Sequence, residues 1–353
     1  MGSGTEAFPW NLLPLILQTI ILALSFGLIL IGSELFTNSV EWAGERFGIA
    51  EAAVGSLLAA VGTALPETFI PAVALLFGGS EPGSHHAVGV GAIIGAPLML
   101  STIALFVMGT AALAYRKRRG RIVLVVSRRD ARRDLFFFVP TFALFAACGL
   151  LQLGPVWRYL LAVGALGIYG AYSIVMLRLQ RGTGSKMEHG LHFESILRGP
   201  ALNPRGWLIG AQLVAGLIAI VAGAIEFVDN VVSFSQYAGL NPGVLSLIIS
   251  PLATELPEKY NSVVWIRQRK DYLALANITG AMVFQSCIPV ALGLLFTPWI
   301  LTPPEQLASA IALGSAVILH FNLRDGELGT PTLVVGGVAY GVFLVGLAYM
   351  GAL

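Results

Sequence analysis

Two phrases of the chain repeat one arrangement: GTALPETF at residues 62–69 and LATELPEKY at residues 252–260. Each runs threonine, one further residue, leucine, proline, glutamate. Both lie inside long apolar stretches, where a carboxylate is costly unless it serves an ion path or finds a partner. Pro66 cannot donate to the carbonyl of Gly62, and Pro257 cannot donate to that of Ala253. Each helix is expected to kink there, leaving carbonyls around Gly62–Thr63 and Ala253–Thr254 short of partners. Such carbonyls are tolerated at membrane depth only where they line a cavity or bind something.

Brought face to face, the phrases would form a site of Glu67, Glu258, Thr63 and Thr254. Two carboxylates offer up to about four oxygens, and two carbonyls raise the count to about six, the lower end of what calcium takes. Two negative charges also neutralise one divalent cation. No thiolate or imidazole stands nearby, which argues against zinc and copper. Magnesium keeps its waters and wants a tighter octahedron. Glu255 and Lys259 are spaced i,i+4 in the favoured order beside this site. They are either an internal ion pair or the groups that exchange a proton or swing toward Glu258 during a transport cycle.

The elements that must position these residues follow from composition. Of 353 residues, 56% are hydrophobic and only 11% charged, too few charges for a soluble domain of this size. Helix-length apolar runs recur, as in a polytopic, all-α integral membrane protein. Ten spans are expected near 11–42, 49–78, 86–115, 134–153, 156–178, 207–236, 242–266, 271–297, 304–321 and 331–352. The opening MGSGTEAFPW lacks a basic stretch before the first apolar run, so that run is expected to remain as a helix rather than act as a leader.

The segment Tyr115–Asp134 holds nine of the 21 Lys and Arg. If it is cytoplasmic, alternation also places inside the loops with Arg46, Arg178–Arg205, Arg267–Lys270 and Arg324, leaving Arg158 as the outside exception. Both termini then lie outside a cell (inner) membrane. This basic segment is read as a topological signal with some contact to anionic lipid, not as a nucleic-acid site. Cys148 and Cys287 read as small buried hydrophobes. His85, His86, His189, His192 and His320 show no metal-ligand spacing, and no phosphate loop or nucleophile elbow is present. No enzyme and no cofactor is implied; the expected partners are the bilayer and inorganic cations.

The chain also repeats itself. Shifted by 191 residues, Gly32, Phe36, Val40, Gly48, Thr63, Leu65, Pro66 and Glu67 fall on Gly223, Phe227, Val231, Gly239, Thr254, Leu256, Pro257 and Glu258. With the next loop shortened by six, Ile93 and Gly95 fall on Ile278 and Gly280. Five spans per copy put the second copy upside down. The reading is two inverted five-helix repeats, residues 1–180 and 207–353, joined by a cytoplasmic linker 181–206. Inverted repeats commonly serve alternating access, with a midplane site built from interrupted helices.

This layout resembles the sodium/calcium exchanger superfamily of calcium/cation antiporters, in a compact prokaryotic form. Its alpha repeats, matched here by 55–105 and 246–290, bear a G-T-S-L-P-E phrase in the second and seventh helices. A G-N-x-x-G-S-N-like phrase follows in the third and eighth. The resemblance implies that Glu67 and Glu258 hold the transported ion, assisted by Thr63 and Thr254. The chain departs from the pattern at the sodium-dressing positions. The serine after the motif threonine is Ala64 in one repeat and Glu255 in the other. Ala92, Ala96, Pro97 and Leu100 replace polar residues in the third helix. Asn277 is kept in the eighth, but Ala281 and Gln285 stand where a serine and an acidic or amide residue are found. Family resemblance implies sodium as the counter-ion, whereas these departures point to protons.

Lesser pathway candidates are Glu34 and Asn38 in span one and Glu226, Asp229 and Asn230 in span six, which either line the ion path or sit at a wet interface. Pro71, Pro97 and Pro289 are expected kinks, and the many glycines are expected to permit close helix packing. The function expected is a calcium/proton or calcium/sodium antiporter. The alternatives are a non-transporting membrane ion sensor or scaffold and, least supported, an intramembrane hydrolase.

Overall fold

The computed structural model describes residues 13–46, 65–78, 82–179, 190–198, 204–323 and 326–352. The described chain is nearly all helical. The first half contains α1 (Leu13–Arg46), α2 (Leu65–Leu76), α3 (Pro82–Met99), a π-helical turn (Leu100–Ala104), α4 (Leu105–Ala114), the short α5 (Arg116–Arg119), α6 (Arg128–Leu151) and α7 (Pro155–Leu179). A linker helix, α8 (His192–Arg198), follows. The second half contains α9 (Gly206–Ala238), α10 (Pro242–Thr254), α11 (Leu256–Arg267), α12 (Asp271–Phe296), α13 (Pro303–Asn322) and α14 (Thr330–Tyr349). Strands β1 (Leu124–Val125) and β2 (Glu327–Leu328) pair antiparallel, with Leu124 opposite Leu328.

Among the described residues, seven helical stretches are long and apolar enough to cross a membrane, and they match seven of the ten expected spans. The other three differ for physical reasons. The expected span 49–78 is described only from Leu65 onward. The span 242–266 is two helices, because the chain leaves helical geometry at Glu255, with φ −91° and ψ 12°, before Pro257 starts the next. The expected kink at Ala253–Thr254 is therefore a full break. α13 has helix length but bears Glu305, Ser309, Ser315 and His320. It packs against α3, α6 and α14, so little of it needs to be apolar toward lipid.

Helix starts follow local chemistry. The Asn241 side chain accepts from the N–H groups of Gly243 and Val244 just before Pro242. Thr302 and Glu305 form a reciprocal cap on α13. Past Pro97 the rod widens into the π turn. Ser101 donates its hydroxyl to the Pro97 carbonyl at 2.7 Å there, and Thr102 donates to that of Leu98.

Two close helix pairs organise the interior. α1 lies along α9, and a Cβ on Gly32 would stand 2.8 Å from the Gly216 carbonyl. α3 lies against α10, where a Cβ on Gly91 or Gly95 would stand 2.2 Å from the carbonyl of Gly243 or Leu247. The expected role of glycine in close packing is seen at these positions. α3 and α12 are the most enclosed spans, while α1, α7 and α14 present most of their apolar surface outward. Outward leucines, isoleucines and valines suit acyl chains, since lipid is as apolar as they are.

The basic segment after α4 is largely ordered. Arg119 is buried and its guanidinium lies 2.6 Å from Asp271 Oδ2, which also accepts from Arg121 at 3.1 Å and from the Val125 N–H at 3.1 Å. Arg269 donates to the Arg118 carbonyl. Arg158, the expected outside exception, donates to the Thr297 carbonyl. Cys148 and Cys287 are buried free thiols.

Candidate ion-binding site

Glu258 occupies the first turn of α11, immediately after the helix break, and Glu67 the first turn of α2. A helix N-terminus favours a carboxylate there, because free backbone N–H groups point toward it. Thr254 is the last residue of α10, and Glu255 forms the break itself. α2 and α11 both pack on α12, and α10 touches α2 directly, which brings the two Pro-Glu phrases near one another. The charges of Glu258, Glu255 and Lys259 all act on Glu67.

These groups are buried. Glu67 and Glu258 are 5% exposed, Glu255 is fully enclosed, and Thr254 and Lys259 are buried beside them. Lys259 Nζ lies 3.5 Å from Glu255 Oε2 and donates to the Pro251 carbonyl at 3.4 Å. Both oxygens of Glu67 and Oε2 of Glu258 meet no side-chain donor among the described residues, whereas Glu255 faces Lys259 and Gln285. The buried Gln285 Oε1 and the Asn277 Nδ2 on α12 have no hydrogen-bond partner among the described residues. Buried polar atoms in native proteins are nearly always satisfied. Anionic oxygens without a donor are ligands that suit a hard cation. Thr63 lies outside the described residues, as do Ala64 and Gly62. Among the described residues no three His, Cys, Asp or Glu side chains form a metal-holding group.

Three of the positions that depart from the exchanger pattern are apolar and buried, Ala92 and Ala96 on α3 and Leu100 in the π turn, and they offer no side-chain oxygen, while Glu255 and Gln285 are polar. The nearest hydroxyls on α10 are already engaged: Ser246 donates to the Val88 carbonyl at 2.7 Å and lies 2.9 Å from Ser250.

The lesser candidates are placed elsewhere. Asn38 is tied to the linker, donating to the Gly190 carbonyl and accepting from the His192 N–H and from Gln212. Glu34 is exposed and meets His192 Nε2 at 3.1 Å. Asp229 is exposed and meets His85 Nε2 at 2.9 Å, Glu226 is exposed, and Asn230 donates to the Glu226 carbonyl. None of these contacts is to Glu67 or Glu258.

Of the buried acidic residues that escaped sequence reasoning, two join distant elements. Asp271 anchors the basic loop. Its signal was an acidic residue directly after RQRK and before an apolar run, a helix N-terminus with cations at hand. Asp134, read only as the end of the basic segment, accepts from Thr279 at 2.7 Å and Tyr172 at 3.2 Å and pairs with Arg133. It ties α6 and α7 to α12 one helical face away from Asn277.

Comparison with known proteins bears on the family and the fold. The family model described as sodium/calcium exchanger protein matches residues 17–178 and 208–350. The inner membrane protein YrbG of Escherichia coli (strain K12) is 24% identical over 343 residues, 95% of this chain and 97% of that protein. The crystal structure of the H+/Ca2+ exchanger CAX superposes with a TM-score of 0.72 at 15% identity, covering 94% of this chain and 82% of that one. The sodium-calcium exchanger NCX_Mj, soaked with sodium and strontium, gives 0.56 at 17% identity, covering 94% and 99%. Both likenesses establish the fold.

Proposed function

The chain belongs to the sodium/calcium exchanger family of membrane transporters, and we propose that it exchanges a divalent cation, calcium fitting best, for protons by alternating access. Glu67 and Glu258 hold the ion, with Thr63 and Thr254 completing its shell. The observation that supports this reading most is the pair of buried carboxylates, Glu67 and Glu258, whose oxygens meet no side-chain donor among the described residues beside the helix interruption at Glu255. A buried carboxylate pair has to be neutralised, by a cation or by protons, which is what an exchange of one for the other needs.

The break at Glu255 suits the reading. It leaves α10 and α11 as separate rods on either side of the ion, as in transporters whose site lies between repeats. Under this proposal, residues 1–180 and 207–353 are inverted five-helix repeats, 181–206 is a cytoplasmic linker, and ten spans leave both termini outside the inner membrane. The close pairing of α1 with α9 and of α3 with α10 joins elements that the repeat relates or brings to the same interface. The printed description of YrbG as an inner membrane protein supports the location.

Protons are favoured as counter-ion because the side chains that would dress sodium are replaced by Ala92, Ala96 and Leu100, all buried. The neighbour CAX is itself an H+/Ca2+ exchanger. The second reading, sodium as counter-ion, draws on the likeness to NCX_Mj. Radiolabelled calcium flux into proteoliposomes separates them. A pH gradient is expected to drive uptake without sodium. Uptake that follows only a sodium gradient would establish the second reading. No uptake under either gradient, with no calcium bound, would leave the sensor or scaffold alternative.

A further inference from the structure

Lys259 follows Glu258 directly, yet its ammonium is not at the surface. It is 6% exposed and reaches from the first turn of α11 back across the helix break. There it meets Glu255 Oε2 at 3.5 Å and the carbonyl of Pro251 at 3.4 Å. The Pro251 carbonyl already accepts the Glu255 N–H at 3.2 Å, so its second lone pair faces the ammonium. A buried carboxylate oxygen and a backbone carbonyl at an interrupted helix are the hard-oxygen ligands that small monovalent cations take in membrane transporters. An ordinary i,i+4 pair only links one surface turn to the next. This one bridges two helices inside the site.

The charges agree. Glu67, Glu255 and Glu258 bring three carboxylates, and Lys259 brings one ammonium that acts on all three. Three against one leaves two negative charges, the complement of one divalent ion. Without the lysine the same oxygens would call for a monovalent cation as well.

We propose that the Lys259 ammonium is a resident monovalent cation: it fills a cation subsite between Glu255 and the Pro251 carbonyl, so the site takes one divalent ion and needs no monovalent co-ligand. The inference rests on the reading of Glu67 and Glu258 as the divalent site. It concerns the ammonium's place and charge, and it assigns Lys259 a specificity-determining role.

The test is Lys259→Met in the full-length protein, which removes the charge and keeps an unbranched apolar chain. In choline chloride its thermal midpoint is expected to fall. Sodium or potassium chloride at the same ionic strength is expected to raise it by several degrees, while wild type and Lys259→Arg respond equally to all three salts. The double variant Glu255→Gln/Lys259→Met lacks the subsite's carboxylate and is expected to lose the sodium effect. In proteoliposomes, calcium flux of Lys259→Met is expected to drop about 100-fold or more in choline, the scale of one unpaired buried charge, and to recover with sodium. A midpoint of Lys259→Met that ignores monovalent cations would overturn the proposal, as would a wild type that responds as strongly. If Lys259→Met unfolds in choline, rescue by sodium supports the proposal and unfolding in every salt, with the double variant folded, contradicts it. The salt effect is read without calcium. Failure of wild type to bind calcium would therefore defeat the divalent reading separately.

Discussion

At the scale of residues, the site is a problem of charge held out of water. Glu67, Glu255 and Glu258 are buried, and the Lys259 ammonium pairs with Glu255. Thr254, buried at the end of α10, is proposed to add an oxygen. Thr254→Ala is expected to weaken calcium binding roughly fivefold, about 1 kcal/mol for one lost polar ligand, measured by isothermal titration. An unchanged affinity would remove Thr254 from the shell. Much of this was legible in the sequence, because two Pro-Glu phrases in apolar runs have few explanations other than a shared ion. The exit of Asn38, Glu34 and Asp229 into contacts with the linker and His85 was not. Helix position alone does not say which polar residue finds a partner from a distant loop. Asp271 and Asp134 were missed for the same reason, since their partners are more than 100 positions away or on other helices.

At the scale of elements, close helix contact and the break in α10–α11 decide the shape. A side chain at Gly95 would stand 2.2 Å from the Leu247 carbonyl and push α3 away from α10. Gly95→Val is expected to lower stability by about 1–3 kcal/mol, seen as a fallen thermal midpoint, and to impair flux. Gly27→Ala on α1, where nothing lies within 4 Å, serves as the tolerated control. Asp271 holds Arg119, Arg121 and the β1 backbone. Asp271→Ala leaves the enclosed Arg119 guanidinium unpaired, which costs about 3–5 kcal/mol. Its midpoint is expected to fall well below that of wild type, and protease cleavage within 116–125 is expected to accelerate. The sequence showed the basic loop as a charge excess. Its folding onto Asp271 and its strand pairing with Glu327–Leu328 needed the tertiary structure, because no local pattern links loops 200 residues apart.

At the scale of the whole molecule, the seven apolar helices among the described residues that are long enough to cross, together with the match to the exchanger family, define a membrane transporter. The apolar run lengths made the span positions readable. The broken seventh and the polar ninth were less so, since enclosed helices are freed from the demand for lipid-facing side chains. The proposed orientation is testable because both native thiols are buried. A cysteine at Lys117 is expected to react with an impermeant maleimide only after the membrane is opened, and one appended to the C-terminus is expected to react in intact spheroplasts. The reverse pattern would invert the orientation.

The central claim is that Glu67 and Glu258 together hold the transported divalent ion. Its most direct test is radiolabelled calcium uptake into proteoliposomes by wild type, Glu67→Gln and Glu258→Gln, each checked for folding by thermal midpoint. The account predicts that each folded variant loses uptake by more than about 100-fold, since a neutral amide leaves its partner carboxylate and the ion unbalanced. Near wild-type uptake by either folded variant would contradict it.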